Sequence, residues 1–397
     1  MRHSAYDTGA NALIVRGHTC PRRARFRTIT TMTRIRKKAA ANRGLPKVPT
    51  PAKVTGIKPG RNATINDIAR LASVSKKTVS RVINQSPLVQ EATRARIQAV
   101  IDKFGYVPDP QARGLAFRKS FLIGLVYDNP NAQYIVNLME GALDAVRNSE
   151  YEVVVHPCDR KKPDFIAGVR KFVERQKLRG VILLPPVSEN DELTRALTAV
   201  DCSYVRITYT QLDDPARIVI SNDRLAVSEV ANYLVSLGHK RIGYIAGPPG
   251  FRSAVERLAG FREAMAARGI QFGSDLIVEG GYTYESGVAG GEKLLALNPR
   301  PTAIFASNDE MAAGVYRVAN RLGLAVPGDL SIVGFDDGPL ASRLLPSLTT
   351  IRLPIRELGR LAANKILHPE AAGGTHAMVT PLEPHLVIRD SCQPPPR

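Results

Sequence analysis

An α/β fold is what this sequence predicts: a three-helix N-terminal unit, then two subdomains built as doubly wound parallel sheets. Helical periodicity over residues 64–106 gives the first part. From 121 onward, short β-branched runs alternate with helical stretches. The runs stay apolar throughout, as parallel strands buried on both faces do. About 275 residues of such repeats are too many for one compact sheet domain and divide into two. Charge supplies a third observation. Of the net +19, residues 1–60 hold 14 Lys/Arg against one acid, 61–120 hold 11 against 4, and 121–397 hold 30 against 31. A basic head on a near-neutral body suits a polyanion, either nucleic acid or an anionic membrane.

Taken in order, residues 1–61 lack periodicity and end in "LPKVPTPAKVTGIKPGR", which predicts a disordered basic leader. The unit 62–108 follows. Thr64 and Asp67 have capping-box spacing, and Ile65, Ile68, Ala69 and Ala72 form one apolar stripe. Ser75 can cap a second helix whose inward residues are Val79, Val82 and Ile83. A third helix carries Ile97, Val100, Ile101 and Phe104 at i, i+3, i+4 and i+7, and Gly105 is placed to end it.

The second helix turns Lys76, Lys77, Ser80, Arg81 and Asn84 outward with no acid among them. A merely solvated face ordinarily mixes signs. Lys and Arg can reach guanine O6 and N7, while Ser, Thr and Asn bind phosphates or base edges. Two helices joined by a tight turn, the second projecting its N-terminal residues, are helix-turn-helix geometry. Beyond 120, the expected strands are "FLIGLVY", "YEVVVHP", "GVILLPP", "ARIVISND", "RIGYIAGPP", "TAIFASND" and "LSIVGFDD".

Several classes lack support. The four cysteines show no paired spacing, which argues against a disulfide framework or zinc site and fits a reducing cytoplasm. No run approaches the roughly 20 apolar residues of a membrane span. "ALIV" at 12–15 is too short for a secretory h-region. There is no HExxH, GxSxG or paired catalytic carboxylate, so no catalytic residue, metal or cofactor is expected. "AGPPG" lacks the Lys-Ser/Thr of a phosphate loop and reads as a strand-to-helix turn. His156 and His239 have no partner spacing, so structural roles are assigned to them.

"TINDIARLASVSKKTVSRVIN" with "TRARIQAVIDKFGYVPDPQARGLA" closely resembles the headpiece of the lactose-repressor (LacI/GalR) family of bacterial transcription regulators. The resemblance continues through "LVSLGHKRIGYIAGP", "ERLAGFREAM", "TAIFASNDEMAAG", "SIVGFDD" and "PSLTTIR", covering about 62–392. It implies a helix-turn-helix headpiece, a hinge helix over 109–120 and a periplasmic-binding-protein-like core over 121–392. The two core subdomains interleave, with crossovers near 235, 353 and 382, and 393–397 form a tail. Lys76, Lys77 and Arg81 match the family's base-reading positions. Thr64, Ser75, Thr78, Ser80, Asn84 and Tyr106 match its phosphate contacts. Leu115 matches the minor-groove wedge, beside Ala112 and Arg113; such a wedge unstacks a base step and is repaid by bent-DNA contacts. Two residues depart from the pattern: Ser73 replaces a turn Gly, and Gly114 replaces a hinge Ser.

In open parallel sheets, ligands bind beyond the carboxyl ends of the strands. Those ends carry Asp128, Pro185–Pro186, Asn222–Asp223, Gly247–Gly250, Asn308–Asp309 and Asp336–Asp337. Carboxylates and carboxamides suit sugar hydroxyls, and Arg257 offers a complementary fork. The resemblance supports Asp223, Arg257 and Asp309 as effector contacts, with Asn308 and Asp336 beside them; position after a strand adds Asp128, and Phe251 can stack on a sugar face. Helix capping competes for Asn308 and Asp309, and a turn role for Asp336 and Asp337. The expectation is a cytoplasmic, nucleoid-associated homodimer that represses transcription at a near-palindromic double-stranded operator under control of a small sugar or glycoside, with no membrane partner. The competing readings are a periplasmic-type sugar-binding transport protein and a sugar-modifying enzyme.

Overall fold

A computed structural model describes residues 63–83, 86–107, 121–372 and 381–396, with no account of the side chains of 371 and 372. The leader, Asn84, and the hinge residues Ala112, Arg113 and Leu115 lie outside the described residues.

Three helices form the N-terminal unit: α1 (Ile65–Leu71), α2 (Lys76–Ile83) and α3 (Glu91–Phe104). Thr64 and Asp67 make the expected capping box: Asp67 N–H donates to the Thr64 hydroxyl, and Thr64 N–H donates back to the carboxylate at 3.1 Å. The Ser75 hydroxyl accepts from Thr78 N–H at 3.1 Å and so caps α2. Gly105, left-handed at φ 58°, ends α3. Ile68, Ala69, Ala72, Val79, Val82 and Ile97 are buried, with Ile65, Val100, Ile101, Phe104 and Tyr106 packed around them. Each helix alone is too short to be stable in water; this shared core holds them.

Beyond 120 the chain builds two lobes. The first lobe contains β1 (Leu122–Tyr127), β2 (Glu152–Pro157), β3 (Gly180–Leu183), β4 (Ser203–Thr208) and β5 (Ile218–Ile220), all parallel in the order β2-β1-β3-β4-β5. One face is covered by α4 (Ala132–Val146) and α11 (Ile355–Leu367), the other by α5 (Phe165–Gln176) and α6 (Asp191–Ala199). The second sheet runs β11-β10-β9-β8-β6-β7, from β6 (Ile242–Ala246), β7 (Ile277–Glu279), β8 (Ala303–Ala306), β9 (Ser331–Asp336), β10 (Thr349–Arg352) and β11 (His385–Val387). Only its β10–β11 pair is antiparallel. Helices α7 (Asp223–Ser236) and α8 (Arg252–Ala267) cover one face, and α9 (Tyr284–Leu295) and α10 (Asp309–Arg321) the other. A short α12 (Pro369–Ala372) follows α11.

The lobes interleave. Helix α11 returns to the first lobe against α4, where a Cβ at Gly141 or Gly359 would sit about 2 Å from the opposing backbone carbonyl, at Arg356 and Leu138 respectively. The chain crosses at 353–354 and around 382. The first crossing, however, lies at 221–222 rather than near 235. Helix α7 already packs on α8, β10 and β11 of the second sheet, because its buried Val227, Val230 and Leu234 belong to that core. Two crossing segments also pair with each other, Leu382 N–H donating to Ile220 O at 2.8 Å and Asn222 N–H to Leu382 O at 2.9 Å.

All seven expected strand segments contain strands; β4, β7, β10 and β11 were not expected. The fully buried Arg206 interrupts the apolar run of β4. The other three are only 3–4 residues long. The expected tail is in part clamped, since Gln393 O accepts from the His239 ring at 3.0 Å and from the Ser331 hydroxyl at 3.1 Å.

Candidate functional site

Two places collect the expected functional residues. On the N-terminal unit, Val79 and Val82 anchor α2 to the core, leaving Lys76 and Lys77 exposed and Ser80 and Arg81 half-buried. Neither lysine nor Arg81 forms an ion pair among the described residues. The side chains of Thr64, Ser75 and Thr78 are engaged in caps at the amino ends of α1 and α2, where the Thr64 hydroxyl also donates to the Asp67 carboxylate at 2.6 Å. Tyr106 is half-buried directly after α3. Ser73 keeps the left-handed turn at φ 54°, a geometry that costs a non-glycine residue roughly 1 kcal/mol.

The second place lies between the lobes. Asn129, Asn131, Tyr134 and Tyr209 from the first lobe face Ser253, Arg257, Tyr282, Asn308 and Asp336 from the second around a cavity of about 20 Å³. That is room for about one water molecule. Every carboxyl-end segment converges here because the two parallel sheets point their carboxyl ends at each other.

Arg257 is 4% exposed and rigidly held. Its Nε donates to Asp223 at 2.8 Å, one Nη1 hydrogen goes to Ser307 O at 2.5 Å, and its guanidinium lies 3.5 Å from the Phe335 ring centre. Three of its five N–H groups keep no partner among the described residues. Burial, the largest single influence, works against its charge, but Asp223 and the neighbouring Tyr282 and Asp336 together outweigh it and raise its pKa. Asp223 is itself enclosed, accepting from the Ser221 hydroxyl at 2.5 Å. It therefore orients Arg257 and does not line the cavity.

Asn308 caps a helix and faces the cavity at the same time. Its Oδ1 caps α10 through Met311 N–H at 2.9 Å, its Nδ2 donates to Tyr282 O at 3.0 Å, and it also lines the cavity. Asp309 is turned away, accepting from the Thr350 hydroxyl at 2.6 Å and Gly338 N–H at 2.8 Å. It pins the 338–350 segment and does not line the central cavity; burial and then the nearby Asp336 charge raise its pKa well above the carboxylate range. Asp336 lines the cavity in a strained conformation, φ 112°. Burial first, and then the Asp223 charge, push its carboxyl up to about 7 against the pull of Arg257. Asp337 behaves as a turn residue, paired with Arg352 and Arg389.

Asp128 and Phe251 stand at the rim. Asp128 accepts from Arg160 N–H at 3.1 Å, and the Arg160 guanidinium lies 5.4 Å from the Phe251 ring centre. Asn129, Asn131, Tyr134, Tyr209, Ser253 and Tyr282 were not picked from the sequence. The polar cluster "DNPN" at 128–131 was the available signal for two of them. Tyr282 needs Gly247 beneath it, since a Cβ there would come within 2.3 Å of the ring, and takes φ 60° to reach its place. The Tyr134 hydroxyl is buried at the cavity beside Tyr209. Among the described residues no group of His, Cys, Asp or Glu could hold a metal ion, and no helix is long and apolar enough to cross a membrane.

Known proteins match both places. Residues 64–109 fit the model of bacterial regulatory proteins of the lacI family, and 231–392 fit a periplasmic binding protein-like domain. The probable HTH-type transcriptional repressor ExuR of Bacillus subtilis (strain 168) is 31% identical over 333 residues, spanning 83% of this chain and 98% of that protein. A ribose operon repressor of Haemophilus influenzae is 32% identical over 332 residues, with the same coverage. The lac repressor dimer bound to operator and the anti-inducer ONPF superposes with a TM-score of 0.73 at 28% identity, over 84% of this chain and 100% of that one. These matches, joining the headpiece to the two-lobed core along one chain, set aside transport: the chain belongs to the lacI family of bacterial regulatory proteins and is a DNA-binding transcription regulator.

Proposed function

We propose that this protein is a cytoplasmic, homodimeric repressor of a near-palindromic operator, released or recruited by a small sugar or glycoside bound between its lobes. The observation that carries this reading is the α2 face: Lys76, Lys77 and Arg81 project together with no acid to compensate them. In the major groove these three read bases, while Thr64, Ser75, Thr78, Ser80, Asn84 and Tyr106 hold phosphates. Leu115, flanked by Ala112 and Arg113, wedges the minor groove. The cavity between the lobes supports the effector half. Its lining is rich in carboxamides, phenols and hydroxyls, with Arg257 presenting a fixed donor fork opposite Asp336. Hydroxyl groups both donate and accept, which is what such a mixed lining requires. A ribose operon repressor and ONPF-bound lac repressor among the related proteins point the same way. The protein does no catalysis in this reading. Selection of bound duplexes from a random pool, with and without D-ribose and cellobiose, tests it. An inverted repeat whose recovery changes with sugar is expected; recovery of sequences without any consensus would end it.

A further inference from the structure

The inner cavity beside Arg257 is far smaller than a sugar ring, although an adjoining pocket of about 230 Å³ shares its Asn131, Tyr134 and Asp336 walls, so a ligand in contact with Arg257 needs the lobes to part. Contacts at two levels hold them together. Near the floor, Asn131 Nδ2 of the first lobe donates to Asp336 Oδ2 of the second at 2.9 Å. At the rim, two first-lobe side chains reach the loop that opens α8. Glu189 Oε1 accepts the N–H of Arg252 at 3.2 Å, placing a carboxylate on the amino end of a 16-residue helix. Arg160 lies across the face of Phe251, the residue preceding that helix, and its guanidinium stands 3.6 Å from Asp128, which anchors it to the first lobe. A Cβ on Gly250 would lie 3.4 Å from an Arg160 nitrogen, so the guanidinium rests against the loop backbone as well.

We propose that Arg160 and Glu189 form a latch across the mouth of the effector cleft. It rests on the reading of the cleft as an effector site and adds a regulatory step: the latch holds the lobes shut, and a ligand binds at the expense of these contacts. Both contacts end on one short segment, 250–252, so they release together when α8 moves away from the first lobe. Their geometry also explains why Asp128 and Phe251, the two rim residues expected to touch effector, have protein partners instead. Affinity for a ligand is reduced by whatever fraction of molecules is closed against it, and opening the latch recovers that factor.

Hydrogen exchange of the full chain, followed by mass spectrometry, tests the latch without any ligand. Arg160→Ala combined with Glu189→Ala is expected to speed exchange of segments 250–257 and 128–134 by roughly tenfold, leaving the strand interiors unchanged. Lys161→Ala, next to the latch, is the control and should change nothing. Unchanged exchange at both segments overturns the latch, as does faster exchange spread over both sheets, which would mean general destabilisation. Calorimetry with D-ribose and cellobiose then separates the two readings. Several-fold tighter binding to the double variant supports gating, and weaker binding overturns it. If neither sugar binds either protein, the sugar reading falls while the exchange result still decides the latch.

Discussion

The headpiece and the lobes use charge in opposite ways. On α2 two exposed lysines and a half-buried Arg81 are without ion pairs among the described residues; in the cleft Arg257 is buried and held by Asp223. A polyanion brings its own countercharge along its whole length, so a headpiece does best by keeping its cations free and solvated. A small neutral ligand brings none. The cleft must therefore neutralise Arg257 itself, with Asp223, and offer the ligand only the N–H groups that remain. This contrast predicts that mutations in the cleft act first on stability and those on α2 on binding.

The largest effect is expected from Arg257→Ala, which strands Asp223 in the core. A loss of about 3–5 kcal/mol should appear in denaturant unfolding of the core. If stability survives and only ligand binding falls, the pair is not structural and the contrast weakens. Lys77→Ala and Arg81→Ala should each cost operator affinity on the order of tenfold while leaving unfolding of the core unchanged. Their loss of discrimination between operator and random duplex separates base reading from phosphate attraction, which salt dependence would reveal instead.

Asp336 sharpens the cleft half of the comparison through pH. Its folded pKa, about 7, lies above the unfolded value of roughly 3.9, so the folded state holds a proton that the unfolded state releases. Its contribution is therefore most favourable below about pH 4 and is lost as pH rises to 7. Asp336→Asn should flatten that slope in urea titrations across the window; an unchanged slope would assign it to other groups. The smallest effect belongs to the headpiece turn. Ser73→Gly relieves a left-handed residue and should stabilise the headpiece by about 1 kcal/mol or less, read as a higher melting temperature for its helices.

The same division separates what was legible in the sequence from what was not. Headpiece features are local: a Thr–Asp pair three residues apart, a Ser before Lys-Lys, a Gly after Phe104. Each helix start and stop is decided by residues within one turn, and the structure places them as read. Lobe features depend on residues far apart in sequence. Asp309 and Asn308 are neighbours, yet one pins Thr350 and the other lines the cavity, a distinction set by a strand 41 residues away. Asp223 reads as a ligand contact until Arg257, 34 residues on, is found to occupy it. The first lobe crossing was misplaced for a similar reason. Helix α7 is amphipathic either way, and only its packing partners show to which sheet it belongs. Tyr209, ending an Arg-interrupted strand, carried no local signal.

In the proposed function the two regions are coupled, with sugar binding in the cleft altering the grip of α2 on DNA. The direct test is a thermodynamic square: operator affinity of the full chain with and without saturating sugar, and sugar affinity with and without saturating operator. Coupling through a shared two-state equilibrium requires the same factor along both routes, and 5- to 150-fold is the ordinary range. That equality is the predicted result. Sugar and operator affinities that do not respond to each other, in a protein that binds both, would contradict it.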